Sequence, residues 1–128
     1  MKESELRIGN YIKTEFGTSK VRGTAKEAVW LNSLGGPIRL DGFLGIQPVE
    51  LTKDILLKCG FEDAIDADND EYFIFNNLKL YWYEFALNTC NGFYFRNDVN
   101  GDLKIKHLHQ LQNLYFALTG NELSVSKI

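Results

Sequence analysis

Tyr72-Phe73-Ile74-Phe75-Asn76-Asn77-Leu78-Lys79-Leu80-Tyr81-Trp82-Tyr83 is the stretch that decides how the chain is read. Two aromatic and apolar runs flank a pair of asparagines. Asparagine tolerates positive φ, so Asn76-Asn77 suits a tight hairpin between strands at Tyr72–Phe75 and Leu78–Phe85. Side chains of a strand alternate between faces. Leu78, Leu80, Trp82 and Glu84 therefore share one face of the second strand, which has the composition of a core under a helix. Lys79, Tyr81, Tyr83 and Phe85 share the other, where tyrosines beside a lysine have the composition of a contact surface. Tyr94 and Arg96 extend that side from a neighbouring strand, opposite Phe93 and Phe95. The competing expectation is a second layer packed over this side as well.

Working outward, Gly92–Arg96 and Leu103–Lys106 read as two more strands. Asn100-Gly101 between them is the strongest hairpin signal in the sequence. Residues 71–106 are thus expected to form an antiparallel meander of about four strands. Leu108 to Thr119 places leucines at 108, 111, 114 and 118, with Tyr115, on one side of a helix that Gly120 ends. That stripe is wide enough to seal a sheet. His109, Gln112 and Asn113 are then expected to face water or a neighbouring lobe. Leu123–Val125 is a candidate last strand.

Upstream, Leu51–Gly60 reads as a short helix. Thr52 is suited to its N-cap, Asp54 and Lys58 complement the dipole, and Gly60 fits a left-handed stop. Before it lie short strand signals: Leu6–Ile12 with a bulge at Gly9-Asn10, Lys20–Thr24, Ala28–Leu31, and Phe43–Val49 with Pro48 confining that end to an edge or bulge. Gly17-Thr18 suggests a turn and Gly35-Gly36-Pro37 a loop. The expected fold class is α+β. A small N-terminal curled antiparallel sheet or barrel leads to the short helix and then to the meander, packed by a C-terminal helix. Residues 1–128 fit a single compact domain, with room for two lobes at 5–50 and 51–128.

Composition excludes several function classes. The 128 residues are 45% hydrophobic and 24% charged, ordinary for a globular protein, while aromatics reach 13%. Net charge is −3. Residues 1–50 carry seven Lys/Arg against six Asp/Glu, and the remainder seven against eleven. Neither half has the basic excess that duplex nucleic acid demands, so duplex binding is not expected. Cys59 and Cys90 form no Cys-x-x-Cys pair and read as reduced thiols. The N-terminus lacks an apolar signal segment and no apolar run is long enough to span a bilayer. The expected compartment is the cytoplasm, with no membrane partner.

Motifs for chemistry are weak. Asp66-x-Asp68-x-Asp70 has the spacing that opens a calcium loop, but Glu71 stands where such a loop needs glycine and Asn77 where it needs a bidentate glutamate. His107 and His109, two apart, point to different faces of a helix and have no further ligands at suitable spacing. No nucleophile elbow or phosphate-binding glycine pattern is present. Neither a metal nor a cofactor is expected, and no catalytic residue is assigned. A hydrolase would have to use Glu84, as a buried acid, or His107 or His109. A nucleic-acid-associated small-barrel module would present Lys13, Lys20, Arg22 and Arg39 to single strands.

Three segments taken together resemble a known family. They are Leu6-Arg7-Ile8-Gly9-Asn10-Tyr11-Ile12, Val49–Thr52 with Leu56–Phe61, and His109-Gln110-Leu111-Gln112-Asn113-Leu114-Tyr115-Phe116-Ala117-Leu118-Thr119-Gly120-Asn121-Glu122-Leu123. The family comprises small uncharacterised proteins of phages, prophages and mobile elements of Bacteroidota, many of which differ at the Cys59 position. The resemblance covers about a quarter of the chain and implies genomic context, with no activity to carry over. The resulting expectation is a non-catalytic phage-type accessory binding protein in the host cytoplasm. It would counter host defence by occupying a host protein or a nucleotide-like ligand through Lys79, Tyr81, Tyr83, Tyr94 and Arg96.

Overall fold

The computed structural model describes residues 6–14, 17–25, 28–31, 38–41, 46–84, 91–96 and 102–125. The fold is α+β: two antiparallel sheets and two helices. The chain divides into two units. One comprises residues 1–50 and 107–122, the other residues 51–106 and 123–128.

The first unit holds β1 (Tyr11–Thr14), β2 (Gly17–Ala25), β3 (Ala28–Leu31), β4 (Ile38–Asp41), β5 (Gln47–Pro48) and α2 (Leu108–Thr119). The sheet order is β4-β3-β2-β1-β5. Both ends are unjoined among the described residues, so the sheet is open and not a barrel. A register shift between Val21 and Gly23 lets long β2 pair with β1 and then β3. Pro48 lies on edge strand β5, where its missing N–H disturbs no inner ladder. The Gly35-Gly36-Pro37 loop lies outside the described residues. Strand β4 had no strong sequence signal and was not expected.

The opening segment departs from the expected strand. Leu6–Asn10 turns instead of extending. Asn10 N–H donates to the Arg7 carbonyl at 3.0 Å, Arg7 N–H donates to Asn10 Oδ1 at 2.7 Å, and Gly9 takes φ +98°. A glycine at that position of a turn accepts a left-handed φ without Cβ strain. The strand proper starts at Tyr11, which leaves Ile8 exposed while Leu6 and Ile12 are buried.

This turn is the dock for α2. Gln112 Nε2 donates to the Gly9 carbonyl at 3.0 Å, and Gln112 Oε1 accepts from Tyr11 N–H at 2.9 Å. Asn113 Oδ1 accepts from Asn10 Nδ2 at 3.0 Å and from Arg7 Nε at 3.1 Å. Arg7 also donates to the Gln112 carbonyl, pairs with Glu122, and lies 4.4 Å over the Phe116 ring. The sequence reading put the polar side of α2 toward water or a neighbouring lobe. The second of these alternatives holds: Gln112 and Asn10 are fully buried in this clamp, where the helix meets the N-terminal turn. The leucine stripe is correspondingly shorter: Leu108, Leu111 and Tyr115 are buried, whereas Leu118 is exposed. Within the first unit α2 thus contacts β1 as well as the turn that precedes it. His107 is the helix N-cap, its N–H donating to Gln110 Oε1 at 3.1 Å, and Gly120 ends the helix at φ +74°.

The second unit holds α1 (Lys53–Lys58) and β6 (Glu62–Ile65), β7 (Glu71–Phe75), β8 (Leu78–Tyr83), β9 (Gly92–Phe95) and β10 (Leu103–Ile105), in the order β10-β9-β8-β7-β6. The expected four-strand meander gains a fifth strand, β6, from the start of the acidic segment. Asn76 and Asn77 adopt φ +46° and +68°, and Phe75 pairs with Leu78 across them. The Asn100-Gly101 turn lies outside the described residues, although β9 and β10 pair as expected. Thr52 caps α1, its hydroxyl accepting from Ile55 N–H at 3.2 Å.

One face of this sheet is core. Phe73, Leu78, Leu80, Phe93 and Ile105 are buried, as are Leu56, Cys59 and Phe61 from α1 and the residues after it. Phe61 packs on Phe75 with ring centroids 5.6 Å apart. Burial pushes the Cys59 thiol up to about 12, as expected for an ionisable group in an apolar setting. Leu123 is buried, but residues 122–125 form no strand, contrary to expectation.

Candidate functional site

The other face of β7–β10 carries the residues singled out in the sequence. Register makes this face: Tyr72 pairs with Tyr81, Tyr81 with Tyr94, and Tyr94 with Lys104. These four side chains form one row running across the strands. Lys79 and Tyr83 lie two residues either side of Tyr81 on the same face.

Arg96 is the centre of the arrangement. It follows the end of β9, and its guanidinium lies 3.6 Å from the centroid of the Tyr81 ring and 5.6 Å from that of Tyr83. Arg96 Nε donates to Tyr83 Oη at 2.7 Å, and Nη2 donates to Asp70 Oδ2 at 3.1 Å. Partial burial opposes the charge of Arg96. The Tyr83 hydroxyl and the Asp70 carboxylate outweigh that effect, and its pKa is raised. The guanidinium, charged like any arginine at ordinary pH, has Tyr81, Tyr83 and Asp70 as partners. Cation–π stacking of this kind contributes about 0.5–2 kcal/mol depending on exposure.

The tyrosines form a continuous train. Ring centroids are 5.5 Å apart for Tyr72 and Tyr81, 6.2 Å for Tyr81 and Tyr83, and 5.5 Å for Tyr83 and Tyr94. Lys79 Nζ sits 5.1 Å over the Tyr72 ring. A Cβ on Gly92 would stand 2.8 Å from Lys104 Cε, so the glycine opposite Tyr83 makes room for the lysine chain.

The structure thus brings Tyr81, Tyr83, Tyr94 and Arg96 into one cluster and places Lys79 beside it, on Tyr72. One assignment changes. Tyr81 is 8% exposed, covered by Arg96, and cannot itself offer a free ring face. Tyr83 and Tyr94 are half-buried, and Lys79 and Arg96 exposed. Phe85 lies outside the described residues. Tyr72, Asp70 and Lys104 are members that sequence reading missed. A two-residue turn at Asn76-Asn77 fixes Tyr72 opposite Tyr81, so Tyr72 could have been found from the turn alone. Asp70 could not, because its approach to Arg96 depends on how the acidic segment folds back.

Other candidates resolve differently. Asp66 Oδ1 accepts from the N–H groups of Asp68 and Asp70, both at 2.9 Å, so this carboxylate anchors a turn. Glu84 is exposed and accepts from Trp82 Nε1 at 3.0 Å, which removes the buried-acid reading. His109 is buried and stacks on His107 with centroids 5.7 Å apart. No group of three or more metal-ligating side chains occurs among the described residues. Lys13, Lys20 and Arg22 are exposed on the first sheet, with Lys20 Nζ 6.0 Å over the Tyr11 ring. Arg39 of β4 stands opposite Trp30 of β3 in the backbone register. Cys90 lies outside the described residues. No helix among the described residues is long and apolar enough to cross a membrane. No family model, curated protein sequence or solved structure matches the chain.

Proposed function

We propose that this chain is a non-catalytic accessory binding protein of phage type, and that the tyrosine and cation face of β7–β10 is its contact surface. It acts by occupying a host protein or a nucleotide-like ligand in the host cytoplasm, in this way countering host defence. The observation that carries this reading is Arg96, whose guanidinium lies 3.6 Å over the Tyr81 ring and hydrogen-bonds Tyr83 and Asp70. A guanidinium fixed at the surface by its own neighbours has lost its rotamer entropy before any partner arrives, so binding to it costs less. Resemblance of the chain's two ends and of the segment around α1 to proteins of mobile elements supports the phage context.

The test is co-purification from a phage-infected host of tagged wild type and of a Tyr94→Ala, Lys79→Gln double variant. Bound proteins are identified by mass spectrometry and bound nucleotides by extraction. A component that co-purifies with wild type and is lost from the variant, at unchanged melting temperature, supports the reading. An identical set from both proteins removes this face as the contact surface.

A second reading rests on exposed Lys13, Lys20 and Arg22 of the first sheet. In it the N-terminal sheet, acting as a nucleic-acid module, makes the contact. Charge-neutralising variants there, Lys13→Gln with Lys20→Gln, separate the two.

A further inference from the structure

We infer that the ligand of the second sheet is a short run of single-stranded nucleic acid lying across the strands. The inference rests on the contact-face reading above and names its ligand class. Three features point to a strand of nucleotides over a single small molecule.

The first is shape. Small-molecule sites are concave and enclose most of their ligand. The row Tyr72, Tyr81, Tyr94 and Lys104 runs across the open face of a sheet, one residue per strand. With neighbouring strands about 4.8 Å apart, the row is about 14 Å long, which suits an extended ligand of repeating units.

The second is the alternation of stacking surfaces. Bases stack on tyrosine rings and on arginine guanidinium planes alike. Tyr72 and Tyr94 are half-buried in this row, with Lys79 over the first ring and Tyr83 packed on the second, and each presents to a base the part of its ring that these neighbours leave. Between them Tyr81 is covered, and the guanidinium of Arg96 takes its place as the outward plane. The burial of Tyr81, which removes it as a contact, thereby leaves a cationic stacking plane in the middle of the row.

The third is charge. The chain is acidic, yet this face carries Lys79, Arg96 and Lys104 at successive points along the row. Asp70 engages Arg96, and Glu62, in register with Ile74 and Lys79, lies on the same face at β6. Cations interleaved with aromatic planes match the alternation of phosphate and base in a single strand, where stacking is tolerant of sequence. The duplex is a poor fit, because its bases are already stacked on one another.

The test is fluorescence anisotropy with labelled oligothymidylate and oligouridylate of about 10 nucleotides, starting at low salt where the electrostatic contribution is largest. Binding to wild type is expected to weaken with salt. Tyr94→Ala and Tyr72→Ala are each expected to reduce affinity about tenfold or more, at the scale of one lost base stack. Lys104→Gln is expected to lower the salt dependence by less than one unit of log–log slope, as one phosphate contact is removed. Lys13→Gln with Lys20→Gln is expected to change nothing. Circular dichroism of each variant separates loss of binding from loss of fold. The inference is overturned if wild type fails to bind either oligonucleotide at low salt, or if Tyr94→Ala binds as well as wild type. It is also overturned if thymidine monophosphate competes as strongly, per molecule, as the oligomer. If a host component still depends on Tyr94 in co-purification while the oligonucleotides do not bind, the contact face stands and this ligand class falls.

Discussion

Two arginines make nearly the same set of contacts in the two units, to different ends. Arg7 lies 4.4 Å over Phe116 and pairs with Glu122; Arg96 lies 3.6 Å over Tyr81 and pairs with Asp70. Around Arg7, the neighbouring Asn10 and Gln112 are 0% and 1% exposed, and their hydrogen bonds close on one another and on the backbone of the turn. The pairing carboxylates do not make the difference, since the Asp70 side chain is 37% exposed and that of Glu122 50%; the buried amides beside Arg7 do. Surroundings therefore separate structural glue from a contact surface better than residue type does. Buried polar groups must be satisfied internally, and once satisfied they specify a single docking geometry. The same residue types at the surface leave donors and planes available to a ligand.

The largest expected effect breaks the clamp. Gln112→Ala leaves the Gly9 carbonyl and the Tyr11 N–H without their side-chain partner inside the first unit. Each unsatisfied buried group costs about 1–3 kcal/mol, and a cavity adds to that, so urea denaturation should show a loss of about 3–5 kcal/mol. A loss below about 1 kcal/mol would mean that water replaces Gln112 freely and that the clamp is not what seats α2. Next in size comes Tyr81→Ala. Its ring is buried beneath Arg96, and removing it should cost about 2–3 kcal/mol while Tyr94→Ala costs about 1 kcal/mol or less. Equal costs for the two would show that the cover over Tyr81 does not persist in solution.

Much of this contrast was legible in the sequence, but unevenly. The Asn76-Asn77 turn, the Thr52 cap and the Gly120 stop were readable because each depends on a few adjacent residues and on backbone geometry that few residue types tolerate. The alternation that put Lys79, Tyr81 and Tyr83 on one face is likewise local. The clamp was not legible. Its partners are over a hundred residues apart, and a period-3.6 reading leaves Gln112 and Asn113 facing either water or a neighbouring lobe without choosing between them. Hydropathy cannot distinguish a polar residue facing water from one whose hydrogen bonds are all met by a distant turn. Burial of Tyr81 escaped for the same reason, since the residue that covers it follows the next strand. The segments Leu6–Ile12 and His109–Leu123 supply the two sides of the clamp. The clamp gives a physical reason for their pattern that invokes no catalysis.

A smaller effect concerns the core face of the second sheet. The Cys59 thiol is pushed from 9.0 up to about 12 by burial, so in the folded protein it stays protonated well beyond the pH at which it ionises in the unfolded chain. The stability this provides is complete below about pH 9 and is lost as pH rises toward 12, at up to about 1.4 kcal/mol per pH unit. Between pH 8 and pH 10 wild type should therefore lose about 1 kcal/mol more than Cys59→Ala does, measured by denaturant midpoint. Parallel pH dependences would show that the thiol is not desolvated, and prompt alkylation of Cys59 by iodoacetamide at pH 8 would show the same.

The smallest effect lies at the edge of that sheet, where a carboxyl meets a like charge in place of an arginine. The Asp63 pKa is raised, first by desolvation and then by its hydrogen bond and repulsion with Glu71, with Lys53 acting in the opposite sense. A carboxyl whose folded pKa is raised contributes most to stability when protonated, below its ordinary value of 3.8, and that contribution is lost as pH rises through the raised value. At neutral pH the ionised Asp63 thus opposes the fold slightly, unlike Glu122, whose negative charge is engaged by Arg7. Asp63→Asn should raise the melting temperature by a small amount at pH 7, and the gain should vanish at about pH 3, where wild-type Asp63 is neutral as well. Glu122→Gln should show the reverse sign at pH 7, because it removes an attractive pair. If Asp63→Asn is destabilising at pH 7, then Lys53 and not Glu71 governs Asp63, and the two units handle their surface carboxylates alike.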